Sequence, residues 1–146
     1  MQKVANRDLS VSYFEKGEEV WVADAHLADD EHDIGIEIEI DMAQMVVMDA
    51  RIKFKRFPLN HCTLLEDKAS QLKGIKVDRE FVRNAMKIFM GPYGCPNIMT
   101  LLNISIPGII YYYYPHKVKS GAMQYEQWDS MIRTELKDAC LAHTLL

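Results

Sequence analysis

The sequence contains no basic block, no long apolar run and no apolar N-terminal segment. Its 146 residues include 17 lysines and arginines against 21 aspartates and glutamates, so a nucleic-acid partner is not expected. Residues 1–8 lack the apolar core of a signal peptide, and we expect none. The most apolar run, residues 98–114, is interrupted by polar residues, a proline and a glycine, and falls short of the roughly twenty apolar residues that a membrane-spanning helix needs. These absences predict a cytoplasmic protein without a membrane partner.

Cysteine is also scarce, and the familiar catalytic motifs are missing. The only cysteines are Cys62, Cys95 and Cys140. In a chain without an export signal, these are expected to be free thiols or metal ligands rather than disulfides. There is no nucleophile elbow, no glycine-rich phosphate loop and no zinc-finger spacing, so no common motif assigns a function.

Alternation with a period of two dominates residues 34–54. A first strand separates apolar from acidic side chains: Ile34, Ile36, Ile38 and Ile40 against Glu37, Glu39 and Asp41. After a turn near Ala43, a second strand separates apolar from charged side chains: Val46, Met48, Ala50, Ile52 and Phe54 against Asp49, Arg51, Lys53 and Lys55. This pattern predicts a half-buried antiparallel hairpin, and pairing is favoured because one polar face is acidic and the other basic.

Two further strands are expected before this hairpin, at residues 9–14 and 20–27, around a turn at Gly17. Helical spacing begins only after the hairpin. Strands first and helices afterwards predict an α+β domain, with an antiparallel meander of three to four strands followed by helices packed on one face. We expect a single domain spanning residues 1–146.

Helical spacing is present in four later segments: residues 60–73, the stretch capped by Asp78, the stretch beginning at Pro96, and a last helix opened by Ser120–Gly121. Residues 104–114 fit either a helix that continues past a kink at Pro107 or a strand, and Pro115 is expected to end the element. The last helix is expected to place Cys140 on its apolar stripe, in the core.

Cys62 and Cys95 are both expected at the starts of helices. The unpaired backbone donors and positive dipole end at a helix N-terminus favour a thiolate, the form that binds metal or attacks an electrophile. The alternative is that both cysteines are small apolar residues that fill the helix ends.

His32 lies beside Asp33 in an acidic segment that enters the hairpin. It is either a ligand or general base oriented by a carboxylate, or a solvated histidine. His26 and Asp24, on the preceding strand, are read as an exposed strand face. Four consecutive tyrosines, Tyr111 to Tyr114 (the tyrosine run), are expected either to line an aromatic pocket or to pack in a core or an interface.

Three short motifs follow one another along the chain. The first consists of Leu27, Asp29, His32 and Asp33, the second of Arg56, Pro58 and Cys62, and the third of Gly94 and Cys95. In their order and spacing these motifs resemble a bacterial family known as domain of unknown function 2889. The resemblance covers roughly residues 10–105. Asn97 stands where the family usually has histidine, which implies a lost or modified ligand position. The family carries no established activity.

A fainter resemblance is to the iron–sulfur scaffold fold of the IscU and NifU N-terminal kind. Residues 47–52 are similar to a strand of those proteins that leads to a cysteine at a helix start, here Cys62, and Cys95 lies near the position of their last cysteine. Their first cysteine is missing, with Glu31 or His32 in its place. This resemblance implies metal binding more readily than cluster assembly.

These observations favour a small cytosolic metal-binding domain with Cys62, Cys95, His32 and Asp33 as ligands, and Asp29 or Asn97 as supporting groups. Mixed ligands of this kind suit zinc or iron, and an iron–sulfur cluster or sulfur handling is compatible with them. One alternative is a metal-free small-molecule binding or accessory protein, with a pocket walled by Trp21, Tyr93 and the tyrosine run. Another is a thiol enzyme that uses Cys95 or Cys62 as the nucleophile and His32 as the base. A protein partner, a small-molecule substrate and an oligomer all stay open.

Overall fold

The computed structural model describes all 146 residues and consists of a four-stranded sheet followed by helices. The strands are β1 (Asp8–Gly17), β2 (Val20–Ala28), β3 (Asp33–Asp41) and β4 (Val46–Arg56). A 3₁₀ helix (Asn60–Leu72) precedes the α-helices α1 (Phe81–Phe89), α2 (Pro96–Ser105), α3 (Ile110–Lys119), α4 (Tyr125–Thr134) and α5 (Leu141–Thr144). The strands are antiparallel and adjacent in chain order, so the predicted α+β meander is confirmed.

The chain forms two compact units, residues 1–107 and residues 108–146. The first unit contains the sheet, the 3₁₀ helix, α1 and α2, and the second contains α3, α4 and α5. In the first unit, α2 packs chiefly on β2 and the 3₁₀ helix packs on β4. The single-domain expectation stays a prediction. None of the helices is both long enough and apolar enough to cross a membrane.

The predicted central hairpin is formed by β3 and β4. Its isoleucine face is buried against the helices, with Ile34, Ile36, Ile38 and Ile40 at most 1% exposed. On the opposite face Glu37 lies directly across from Arg51, whose guanidinium donates a hydrogen bond to the Glu37 carboxylate. The expected acidic–basic pairing is therefore made at Glu37 and Arg51, whereas Glu39 lies across from Asp49 and binds Lys16 of β1 instead.

The burial pattern at the start of β4 differs from the predicted one. The register shifts between Glu39 and Ile40, so Val47 pairs with Ile40 and is buried, whereas Met48 is 41% exposed. A bulge adds one residue to a strand. Because side chains alternate between the two faces of a sheet, the extra residue places the side chains that precede it on the opposite faces. The backbone of Val47 also bonds to Gly74 and Ile75, which covers this part of the sheet edge.

The helices of the first unit follow the predicted order, with differences of detail. The segment predicted from 60 to 73 is a 3₁₀ helix rather than an α-helix. In α1, Phe81, Ala85 and Phe89 are buried, whereas Val82 and Ile88 are half-buried. Pro96 is the first residue of α2, as expected for a residue without a backbone donor.

The second unit corrects three expectations. Pro115 lies inside α3 instead of ending it. Proline has no backbone N–H to donate to the carbonyl four residues earlier, which is that of Tyr111, and Tyr111 is an exposed residue that water can reach. Gly121 has a positive φ and forms a turn, and the last long helix, α4, begins only at Tyr125 and ends at Thr134. Cys140 is therefore not in that helix but is exposed, immediately before α5.

The bulge yields a test of the register. Val47→Asp places a charge without a partner in the core and is expected to lower the free energy of unfolding by at least about 3 kcal/mol. Met48→Asp, one residue later, is expected to change it by less than about 1 kcal/mol because this side chain faces solvent. Urea denaturation of both variants measures the difference, and equal losses would contradict the register.

Candidate functional site

The turn between β2 and β3, residues 29–32, is closed by the side chain of its first residue. Asp29 Oδ1 accepts hydrogen bonds from the backbone N–H of Glu31 at 2.9 Å and of His32 at 2.7 Å. The backbone N–H of Asp29 donates to the carbonyl of His32 at 2.9 Å. Aspartate is suited to this position because its short carboxylate can bond to the backbone two or three residues ahead.

The same carboxylate orients the imidazole of His32. His32 Nδ1 lies 3.0 Å from Asp29 Oδ1. An ionised carboxylate can only accept a hydrogen bond, so Nδ1 carries the proton and Nε2 of the neutral ring presents a lone pair. Nε2 has no hydrogen-bond partner in the protein, and the side chain is 19% exposed. The histidine is thus oriented by a carboxylate, as expected, but by Asp29 rather than Asp33.

Asp33 is engaged elsewhere. His26 Nε2 donates to Asp33 Oδ1 at 2.7 Å on the polar face of the sheet. This hydrogen bond is the main cause of a lowered pKa for the Asp33 carboxyl, with the charges of nearby basic groups adding to it. This second carboxylate–imidazole pair was not predictable from the sequence, because the two residues meet only diagonally across β2 and β3.

Arg7 links the turn to the start of α2. Its Nη2 and Nε lie 2.8 and 2.9 Å from Asp29 Oδ2, and its Nη1 donates to Asn97 Oδ1 at 3.0 Å. One guanidinium therefore joins the N-terminal segment, the β2–β3 turn and the first turn of α2. Arg7 was not among the predicted site residues, since its partners lie 22 and 90 positions away and leave no local pattern in the sequence.

Arg56 binds the backbone of the same turn. At the end of β4, its Nη2 donates to the carbonyl of Asp29 at 2.6 Å and to that of His32 at 3.1 Å. The three motif segments are thus connected: Asp29 and His32 from the first, Arg56 from the second, and Asn97 beside the third. A cleft of about 510 Å³ opens here, lined by Ala5, Asn6, Arg7, Asp29, Asp30, Glu31 and His32.

The contacts of Asp29 favour its ionised form. Desolvation raises the pKa of this carboxyl, but hydrogen bonds from the His32 ring, from the backbone of His32 and Glu31, and from Arg7 together lower it from 3.8 to about 2. The folded pKa is below the unfolded value, so this group stabilises the fold above pH 3.8, and the contribution is lost as the pH falls towards 2.

The two cysteines of the first unit lie at the starts of helices, as expected. Cys62 is the third residue of the 3₁₀ helix, and Cys95 immediately precedes α2; both are half-buried, and neither thiol makes a hydrogen bond. The structure contains no group of three or more His, Cys, Asp or Glu side chains placed to hold a metal ion. The predicted ligand set of Cys62, Cys95, His32 and Asp33 therefore stays a prediction.

Gly94 has a structural reason to be glycine. A Cβ at this position would lie 1.8 Å from the carbonyl oxygen of Phe89. The next residue, Cys95, donates its backbone N–H to that same oxygen at 2.8 Å. Lys68 also bonds to the carbonyl oxygens of Ile88 and Tyr93 at 2.7 and 2.6 Å, so several contacts fix the loop between α1 and α2.

Comparison with known proteins gives one match. A family model described as "Protein of unknown function (DUF2889)" matches residues 5–107. The matched range contains all the residues that line the cleft, and its end coincides with the end of the first compact unit. No curated protein matches, and no solved structure matches, so the resemblance to iron–sulfur scaffolds stays a prediction.

The close approach at Gly94 predicts a large effect of one methyl group. Gly94→Ala is expected to lower the free energy of unfolding by about 2–4 kcal/mol, because backbone must move to admit the Cβ. The matched control is Gly35→Ala in β3, where a Cβ would have no atom within 4 Å; its stability should stay within about 0.5 kcal/mol of wild type or rise. Thermal unfolding of both variants is the measurement, and a Gly94→Ala variant as stable as wild type would contradict the described loop.

The lowered pKa of Asp29 predicts a specific acid dependence. The wild-type free energy of unfolding should fall as the pH drops from 3.8 to about 2, where this carboxyl takes up its proton. Asp29→Asn should be less stable at pH 7 and show a shallower fall in this interval. The exposed Asp30→Asn serves as control and should keep the wild-type slope. An unchanged slope for Asp29→Asn, measured by denaturation at each pH, would disprove the assignment.

Proposed function

The chain belongs to the DUF2889 family of proteins of unknown function, and from the cleft beside the β2–β3 turn we propose that it binds a zinc or iron ion through His32. The observation that carries the proposal is the Asp29–His32 pair, in which Nδ1 is fixed and Nε2 keeps a free lone pair. Metal-binding histidines nearly always donate their other ring N–H to a carboxylate, a carbonyl or water.

The surroundings of His32 support a positively charged ligand. Arg7 is the only basic side chain that lines the cleft, and its charge is balanced by the Asp29 carboxylate at 2.8 Å. The carboxylates of Asp30 and Glu31 line the same cleft and make no ion pair, which leaves an excess of negative charge. Zinc and iron both accept carboxylate oxygens together with an imidazole nitrogen. Since these side chains are not already grouped around a metal position, the proposal requires the exposed carboxylates to move towards Nε2 when the ion binds.

Further ligands are proposed from the first turn of α2. Arg7 holds Asn97 next to the turn that contains His32, and Cys95 lies two residues before Asn97. Asn97 stands where the family usually has histidine; if that histidine is a ligand, the site in this chain has lost it or is modified. Cys95 stays in the proposed set, whereas Asp33 is a weaker candidate because His26 already binds it.

A mononuclear ion fits the first unit better than an iron–sulfur cluster. Such clusters are generally held by four thiolates, or by two thiolates and two imidazoles at one iron pair in the Rieske type. Cys62 and Cys95 are the only cysteines of this unit, which is too few for four thiolates. His32 is the only imidazole that lines the cleft, whereas the Rieske type needs two.

A second candidate function is proton transfer to a small polar substrate. The same free Nε2 can act as a general base, since Asp29 stabilises the imidazolium that forms. A cleft of about 510 Å³ lies within the range of roughly 300–1,000 Å³ typical of small-molecule sites. This function requires His32 and Asp29 but no metal, so metal binding separates the two candidates.

Anaerobic titration with Zn²⁺ and Fe²⁺ tests the metal proposal. The wild type is expected to bind one ion, and His32→Ala to lose that binding. Asp29→Asn should weaken binding by about 10–100-fold because Nδ1 loses its orienting partner. Asn97→His should tighten it by restoring an imidazole. Binding should weaken on acidification, since the imidazole must give up its proton.

Two histidine variants are matched controls. His26→Ala removes the other carboxylate-bound imidazole, and His61→Ala removes an exposed one; both should bind the ion as the wild type does. Absence of binding by the wild type, or unchanged binding by His32→Ala, would reject the metal proposal. The first outcome would favour the proton-transfer candidate.

A further inference from the structure

The second unit contains a thiol–imidazole pair that the site above does not include. Cys140 Sγ lies 3.4 Å from His143 Nδ1, within hydrogen-bond range for sulfur. Cys140 is exposed, whereas Cys62 and Cys95 are half-buried and make no hydrogen bond. From this geometry we propose that Cys140 is the reactive thiol of the protein and that it forms mixed disulfides with low-molecular-weight disulfides.

The position of His143 is fixed by an aromatic neighbour. Its ring is stacked on that of Tyr111, with centroids 5.9 Å apart and planes 3° apart. The stacked ring keeps Nδ1 of the imidazole beside the sulfur. A thiol within hydrogen-bond reach of an imidazole nitrogen can pass its proton to that base, which yields the nucleophilic thiolate.

The reaction is an exchange that needs no further oxidant. The Cys140 S–H transfers its proton to His143 Nδ1. The thiolate then attacks one sulfur of the small disulfide; a new S–S bond forms, the old S–S bond breaks, and the second half leaves as a thiolate. The leaving thiolate takes up the proton from the imidazolium. Cys140 is oxidised, one half of the small disulfide is reduced, and a reducing thiol reverses the step.

The test uses the full chain with glutathione disulfide as the probe, and peptide mass mapping to follow each cysteine. At pH 7, Cys140 is expected to react roughly tenfold faster than Cys62 or Cys95. His143→Gln should slow the reaction of Cys140 with glutathione disulfide several-fold at pH 7. It should not slow this reaction at a high pH, where a thiol ionises without a neighbouring base. Convergence of the two rates at high pH distinguishes proton transfer from a change in access to the sulfur.

Tyr111→Leu provides a second variant, which removes the stacked ring without touching the pair. It should slow Cys140 at pH 7 less than His143→Gln does. Equal reaction rates of the three cysteines in the wild type, or a His143→Gln variant that reacts as the wild type does at pH 7, would overturn the proposal. Cys140→Ser should leave zinc binding at His32 unchanged, so failure here and failure of the metal proposal are distinguishable.

Discussion

The Asp29 carboxylate is the constraint on which the described site depends. One oxygen accepts two backbone N–H groups of its own turn and the ring N–H of His32, and the other accepts the Nε–H of Arg7 and forms an ion pair with its Nη2. The four hydrogen bonds to this one ionised group are strong because each is charge-assisted. They fix the turn, the orientation of the imidazole and the position of the N-terminal segment together.

Through Arg7 and Arg56 this constraint extends to the rest of the first unit. Arg7 continues to Asn97 in α2, and Arg56 approaches the carbonyl oxygens of the turn from the end of β4. Residues that are far apart in the chain therefore have a common physical task, which is to hold His32 with Nε2 directed away from its carboxylate. Gly94 contributes differently, since it permits the close approach that positions the start of α2.

The fold was predictable from periodicity, because strands and helices bury side chains at different spacings and the isoleucines of β3 display one spacing clearly. The bulge at Met48, between Val47 and Asp49, was not predictable, since one inserted residue reverses the exposed face without changing composition. Arg7 and the His26–Asp33 pair were not predicted, because the contacts of Arg7 are tertiary and the His26–Asp33 contact depends on the strand register. Cys140 was misplaced because an apolar helical stripe was extended past the end of α4.

The orientation of the His32 ring can be measured directly in the metal-free protein. A two-bond proton–nitrogen correlation spectrum at neutral pH distinguishes a protonated ring nitrogen from one with a free lone pair. The described structure predicts that Nδ1 of His32 is protonated and Nε2 is free, because Asp29 can only accept a hydrogen bond. Protonation at Nε2, or two nitrogens averaged by exchange between tautomers, would contradict the account.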